Sequence, residues 1–189
     1  MPDSFNSYLN QIDRNVWRDI CVRMGELRHY SKGEDFVTIG HIGKYIGYIV
    51  AGTLKYVAYS DDGSEHVMGL VFDNGLVADW PFALYGKKAK LSIVAASDCD
   101  IYCVTTQAIN DLMETDPQFK DIVMHATEAV YTTVYDRYVD LYCKSPQQRY
   151  EELLYLHPDL FNMFSLKDIA SFLNITPTHL SRLKKNDKN

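Results

Sequence analysis

The residue types that could do chemistry gather near the end of the chain. Within 165–185, Thr178, His179, Ser181, Arg182, Lys184 and Lys185 share one expected short helix, and none of them is spaced as a nucleophile beside its base. Their chemistry is hydrogen bonding and charge. A guanidinium such as that of Arg182 can donate two parallel hydrogen bonds to guanine O6 and N7, while the ammonium groups of Lys184 and Lys185 suit phosphates. Thr178 and His179 fall near the helix start, where base edges are reached first when a helix enters the major groove.

Presenting that face takes two short helices and a tight turn, and the sequence supplies each boundary. Ser165 is a good N-cap, Asn174 tolerates the left-handed conformation that closes a helix, and Thr176-Pro177 is an N-cap followed by proline at the first helical position. Ile169, Leu173, Ile175, Leu180 and Leu183 make a small shared core, and Ala170 lets the two helices approach. This is a helix-turn-helix arrangement.

A second element must carry that unit. From Asp116-Pro117 to Cys143 there is no glycine and no internal proline, and the apolar spacing predicts a helix of about 25 residues, roughly 38 Å long. Val123, Thr127, Val130, Val134, Arg137 and Leu141 form one stripe; Tyr131, Tyr135, Tyr138 and Tyr142 form another, one position on. The face is wide enough to cover a β-domain on one side and a second copy of the chain on the other, so Val123, Val130, Val134, Tyr138 and Leu141 are the expected dimer contacts. Ser145-Pro146 ends this helix and opens the next, over 147–156.

Upstream the signals are different. Residues 4–27 show helical spacing, and nine of the ten glycines then fall between Gly33 and Gly86. They separate short segments rich in Val, Ile and Tyr at 45–50, 53–59, 65–72, 91–96 and 100–104, with a hairpin at Asp62-Gly63. Cys99 and Cys103, four apart on one strand, point to the same face, inward. The expected fold is α+β: a jelly-roll-like double-stranded β-roll over 1–115, a long dimerisation helix over 116–144, and a small all-α helix-turn-helix domain over 145–189 without a β-hairpin wing.

The 189 residues are 47% apolar and 23% charged, which excludes a disordered chain. No apolar run approaches the roughly 18 residues that span a bilayer, and the start lacks a secretory signal, so a cytoplasmic protein with no membrane partner is expected. Four scattered cysteines make neither a disulfide scaffold nor paired zinc knuckles. The net charge of -6 conceals an asymmetry. Residues 165–189 carry five cations and two anions, net +3, whereas the other 164 residues carry 14 against 23, net -9. A basic end on an acidic body points to a nucleic-acid partner for the end alone.

With these residues in place, the sequence resembles the Crp/Fnr family of bacterial transcriptional regulators. Lys32-Gly33-Glu34 with Phe36, Gly40, Gly43, the run from Gly47 to Lys55 and the Asp62-Gly63 hairpin are similar to the glycine pattern of the cyclic-nucleotide-binding β-roll; the long helix and the C-terminal motif follow in the family's order. The resemblance implies a non-enzymatic homodimer that reads a near-palindromic double-stranded DNA operator, with RNA polymerase among its partners. It also implies a small-molecule effector in the β-roll, in a pocket around Asp79, Trp80 and Lys90 with Thr127 and Tyr131 of the long helix.

The sequence departs from the family where cyclic nucleotides are held. The family's cassette needs a Gly-Glu pair, a further Gly and then an Arg-Ser pair; here the matching stretch is Leu76-Val77-Ala78-Asp79-Trp80-Pro81, and the Arg-Ser position falls near Ala89-Lys90. Ala78 is bulkier than glycine, Pro81 lacks an amide donor, and no fixed guanidinium is present, so cyclic AMP is not the expected effector and no cofactor is expected. Iron–sulfur sensing would need a cysteine cluster near the start, where only Cys21 stands. Two alternatives belong to other classes: a cupin-like metal enzyme, for which Glu65-His66 is a thin ligand set, and a ligand-binding dimer that has lost DNA recognition.

Overall fold

The computed structural model describes residues 13–186. Helix α1 (Arg14–Met24) begins where the Asp13 carboxylate accepts from the Asn15 and Val16 amides, and ends at Gly25. A Cβ at Gly25 would lie 2.7 Å from the Cys103 carbonyl oxygen, so only glycine lets the chain turn against the sheet here. The expected helix over 4–27 is therefore shorter at its end, because Leu27 pairs with Tyr102 in a strand; its first part lies outside the described residues.

Eight strands follow: β1 (Glu26–Tyr30), β2 (Asp35–Val37), β3 (Tyr45–Ala51), β4 (Leu54–Tyr59), β5 (Glu65–Val71), β6 (Leu76–Val77), β7 (Ser92–Ala95) and β8 (Cys99–Thr105). They make two antiparallel four-stranded sheets, ordered β1-β8-β3-β6 and β2-β7-β4-β5. The five segments expected as strands are all present, as β3, β4, β5, β7 and β8, with ends displaced by at most one residue. Three short strands, β1, β2 and β6, carry too few alternating apolar residues to stand out in the sequence. The sheets close over Ile49, Leu54, Val71, Ile93 and Ile101, all essentially inaccessible, with Cys99 and Cys103 buried beside them.

Side chains on the opposite face of β3 and β8 hold the helices. Ile46, Tyr48 and Val104 pack with Trp17 and Ile20 of α1 and with Phe119, Val123 and Ala126 of the long helix. Helix α2 (Thr106–Thr115), capped by Thr105 and not foreseen in the sequence, leads into that long helix, α3 (Pro117–Cys143), which runs 27 residues, close to the length expected. Asp116 caps α3 through the Gln118 and Phe119 amides. Then come α4 (Pro146–Leu156), opened by a capping box between Ser145 and Gln148, the short α5 (Leu160–Met163), α6 (Leu166–Phe172) and α7 (Pro177–Asn186).

The C-terminal helices do not form an isolated unit. Their core of Tyr150, Leu153, Leu160, Phe164, Ile169, Phe172, Leu180 and Leu183 is continuous with Val67 and Leu70 of β5 and with Phe72 just beyond it. The boundary placed at residue 145 thus divides sequence segments but not separate cores.

Candidate functional site

The helix-turn-helix is built as its caps dictate. The Ser165 hydroxyl accepts from the Asp168 amide at 3.1 Å, Asn174 adopts φ 53° to close α6, and Thr176 Oγ1 accepts from the His179 amide at 3.2 Å. Ala170 is wholly buried, as a close helix approach requires. With Leu180 and Leu183 turned inward, Thr178, Arg182 and Lys185 stand exposed in one line at spacings of four and three. The other three expected DNA contacts are placed differently. Ser181 is half-buried and donates back to the Pro177 carbonyl at 2.9 Å, His179 is half-buried, and Lys184 Nζ lies 3.7 Å from the centre of the Phe161 ring.

The residues expected around an effector are only partly brought together. Trp80 Nε1 donates to Thr127 Oγ1 at 3.0 Å, tying the loop after β6 to α3, and Thr127 in turn donates to the Val123 carbonyl. The Trp80 indole meets Trp17 edge-on at 5.5 Å and packs against the core beneath α3. Asp79 is buried, its Oδ2 has no hydrogen-bond partner among the described residues, and burial pushes its carboxyl above the ordinary value. Lys90 is instead exposed, with Nζ 5.7 Å from the Phe82 ring centre, and Tyr131 is exposed one turn beyond Thr127, stacked on Tyr135. A cleft of about 320 Å³ lies elsewhere, between the second sheet and α6, lined by Lys32, Asp35, Lys55, Tyr59, Glu65 and Asp168.

The expected dimer contacts divide between two faces of α3. Val123 is only 6% exposed and belongs to the chain's own core, because its position faces Trp17 and Ile46, and this corrects its assignment as a dimer contact. Val130 and Leu141 are half-buried. Val134 and Tyr138 are 62% and 60% exposed, on a face completed by Met124, Tyr131, Tyr135 and Tyr142. His66, the histidine of the cupin-like alternative, faces Ser60 Oγ at 3.2 Å within its own hairpin.

Several contacts were not foreseen. Lys55 of β4, the Val67 amide of β5, Arg137 of α3 and Arg149 of α4 hold α6 from four elements, through Asp168, Ser171 and the carbonyls of Phe172 and Leu173. Only the Ser165 to Asp168 spacing was visible in the sequence, and it announces a cap without indicating a partner on β4. Burial raises the Asp168 carboxyl, but hydrogen bonds from Lys55 and Ser165 outweigh it and leave the group below its ordinary value.

Comparison with known proteins agrees with this geometry. Residues 27–116 match the family described as cyclic nucleotide-binding domain. No curated protein sequence matches the chain. Among solved structures, FixK2 from Bradyrhizobium japonicum is 17% identical with a TM-score of 0.76, over 86% of this chain and 84% of its own. The c-di-GMP responsive global regulator CLP of Xanthomonas campestris is 14% identical with a TM-score of 0.66, over 93% and 92%. A CRP-family transcriptional regulator from Thermus thermophilus is 14% identical with a TM-score of 0.65, over 84% and 83%. Together these define a class: a cyclic-nucleotide-binding-type β-roll joined by a long helix to a helix-turn-helix. Within that class the chain has the Crp/Fnr-type fold.

Proposed function

We propose that the chain is a dimeric, sequence-specific DNA-binding transcription regulator of the Crp/Fnr type, not an enzyme, whose effector is a small molecule other than cyclic AMP. The observation that carries this reading is the line of Thr178, Arg182 and Lys185, exposed on one side of α7 while Leu180 and Leu183 fix the other. A guanidinium one turn along such a helix suits guanine O6 and N7, and Lys185 beyond it suits a phosphate. The tyrosine-rich face of α3 supports a parallel pair of chains, which places two such helices on successive half-sites of double-stranded DNA. Against cyclic AMP stand Ala78 and Pro81 in the phosphate-holding stretch, the exposed Lys90, and the indole of Trp80 packed on the core.

The test is selection of bound duplexes from a randomised pool at fixed salt, with the natural chain and Arg182→Ala side by side. The natural chain should enrich a near-palindrome and the variant lose about 1–3 kcal/mol of binding with relaxed preference at one position per half-site. Equal affinity of the two for the selected duplex would refute the assignment.

A further inference from the structure

The helix-turn-helix is attached to the β-roll at its first helix, and the attachment is polar and specific. In the sheet ordered β2-β7-β4-β5, β5 is an edge strand whose outer backbone groups need partners. Helix α6 covers that edge. The Val67 amide donates to Ser171 Oγ at 2.9 Å, and three residues earlier on the same face of α6, Asp168 Oδ1 accepts from Lys55 Nζ of β4 at 2.6 Å. Both side chains of the ion pair are about 15% exposed, so this pair is shielded from solvent in a way surface pairs are not. The second oxygen of Asp168 accepts from the hydroxyl of Ser165, the N-cap of α6, at 2.6 Å, so one carboxylate both holds the capping serine and ties the helix to the sheet.

The other end of α6 is held as firmly by the helices that lead to it. Arg137 of α3 donates to the Phe172 carbonyl at 2.8 Å, with its guanidinium 3.8 Å from the Phe172 ring centre. Arg149 of α4 donates to the Leu173 carbonyl at 3.0 Å and to the Lys144 carbonyl at 2.6 Å. Helix α6 is therefore gripped by both the roll and the long helix, and α7 packs on it through Ile169, Leu180 and Leu183. A displacement of β4 and β5 relative to α3 cannot leave α6 where it is while both grips hold. Either α7 turns with the sheet or the Lys55 and Ser171 contacts break.

We propose that Asp168 and Ser171 form a latch on the open edge of the sensor sheet, through which the β4–β5 hairpin sets the orientation of the reading helix. This rests on the DNA-reading function proposed above and assigns its regulation to a named contact. Neutralising Lys55 removes one of the two polar ties between α6 and the sheet without touching α7.

The test uses the full chain, first without DNA. Hydrogen exchange at the Val67 amide reports the latch directly, since that group's acceptor is on α6, and the Ile93 amide in the roll's core serves as control. Lys55→Met and Asp168→Asn should each speed Val67 exchange about tenfold, Lys55→Arg should restore slow exchange, and Ile93 should not change. Unchanged Val67 exchange in both neutralised variants overturns the latch, and loss of protection at Ile93 in Lys55→Met is checked against Ser171→Ala, which removes only the acceptor. Binding to the selected duplex is measured second. A shift of about fivefold or more in affinity for Lys55→Met, in either direction, supports coupling to the reading helix, and unchanged affinity with faster Val67 exchange overturns it. If the natural chain selects no duplex, the DNA-reading proposal fails, and Val67 exchange still decides the latch.

Discussion

Replacing Val134 by glutamate tests the tyrosine-rich face of α3 most directly. The side chain is 62% exposed and stands between Tyr131 and Tyr138, so in a single chain the substitution is a surface change expected to alter stability by less than about 0.5 kcal/mol. In a dimer packed along α3 it is made twice, once in each copy. The exposed area of Met124, Tyr131, Val134, Tyr135, Tyr138 and Tyr142 is on the order of 700 Å², near the ~800 Å² that each partner gives to a stable interface. Each carboxylate placed there loses hydration without a cation nearby, and even about 2 kcal/mol per copy makes about 4 kcal/mol for the pair. That is roughly a thousandfold weaker dimer. Light scattering at about micromolar concentration should give a dimer for the natural chain and a monomer for Val134→Glu, with circular dichroism unchanged. A dimer that survives the substitution, or a monomeric natural chain, refutes the assignment of this face.

Three further outcomes are expected. Gly52 has φ 95°, and a Cβ there would lie 2.8 Å from the Cys99 Cα and against the Asp98 carbonyl, so Gly52→Ala should cost about 2 kcal/mol or more, seen as a Tm lower by roughly 4–8 °C; an unchanged Tm shows that the loop yields. Burial raises the Asp79 carboxyl, so the folded chain holds that proton more tightly than the unfolded one. The natural chain then loses stability as pH climbs above the ordinary aspartate value of about 3.9. Asp79→Asn should accordingly gain on the natural chain between acid and neutral pH in denaturant titrations, and a difference that does not vary with pH contradicts the buried-carboxylate argument. Calorimetry with cyclic AMP at about micromolar concentration should show no binding, and a clear isotherm overturns the reading of the phosphate-holding stretch.

The parts of this architecture legible in the sequence are those fixed by local chemistry. Ser165, Asn174 and Thr176-Pro177 mark helix ends because caps and left-handed turns act within a few residues, and the glycine-free run after Pro117 shows α3 nearly to its last residue. Lys184 leaves the exposed line of candidate DNA contacts for a reason seen only with α5 in place, since Phe161 of that helix draws it aside. Val123 shows the limit of periodicity. A stripe repeating by four and three says that a helix has an apolar side, but α3 has two, and which residues face Trp17 depends on where the roll docks. The latch was invisible for a related reason: Lys55 and Asp168 are 113 residues apart, and each taken alone is an ordinary polar residue on a strand or in a first helical turn.

The cover that α6 provides for β5 bears on how the chain can be divided. Val67, Leu70 and Phe72 reach full burial only because Phe164, Ile169 and Phe172 lie over them, with His157 stacked on Phe72 at 3.6 Å. A fragment ending after α3 would bare this apolar strip together with the unpaired amide of an edge strand, the combination that templates strand-to-strand association between molecules. The C-terminal helices thus shield this strip of the roll, and cutting the chain after α3 should lower the solubility of the roll.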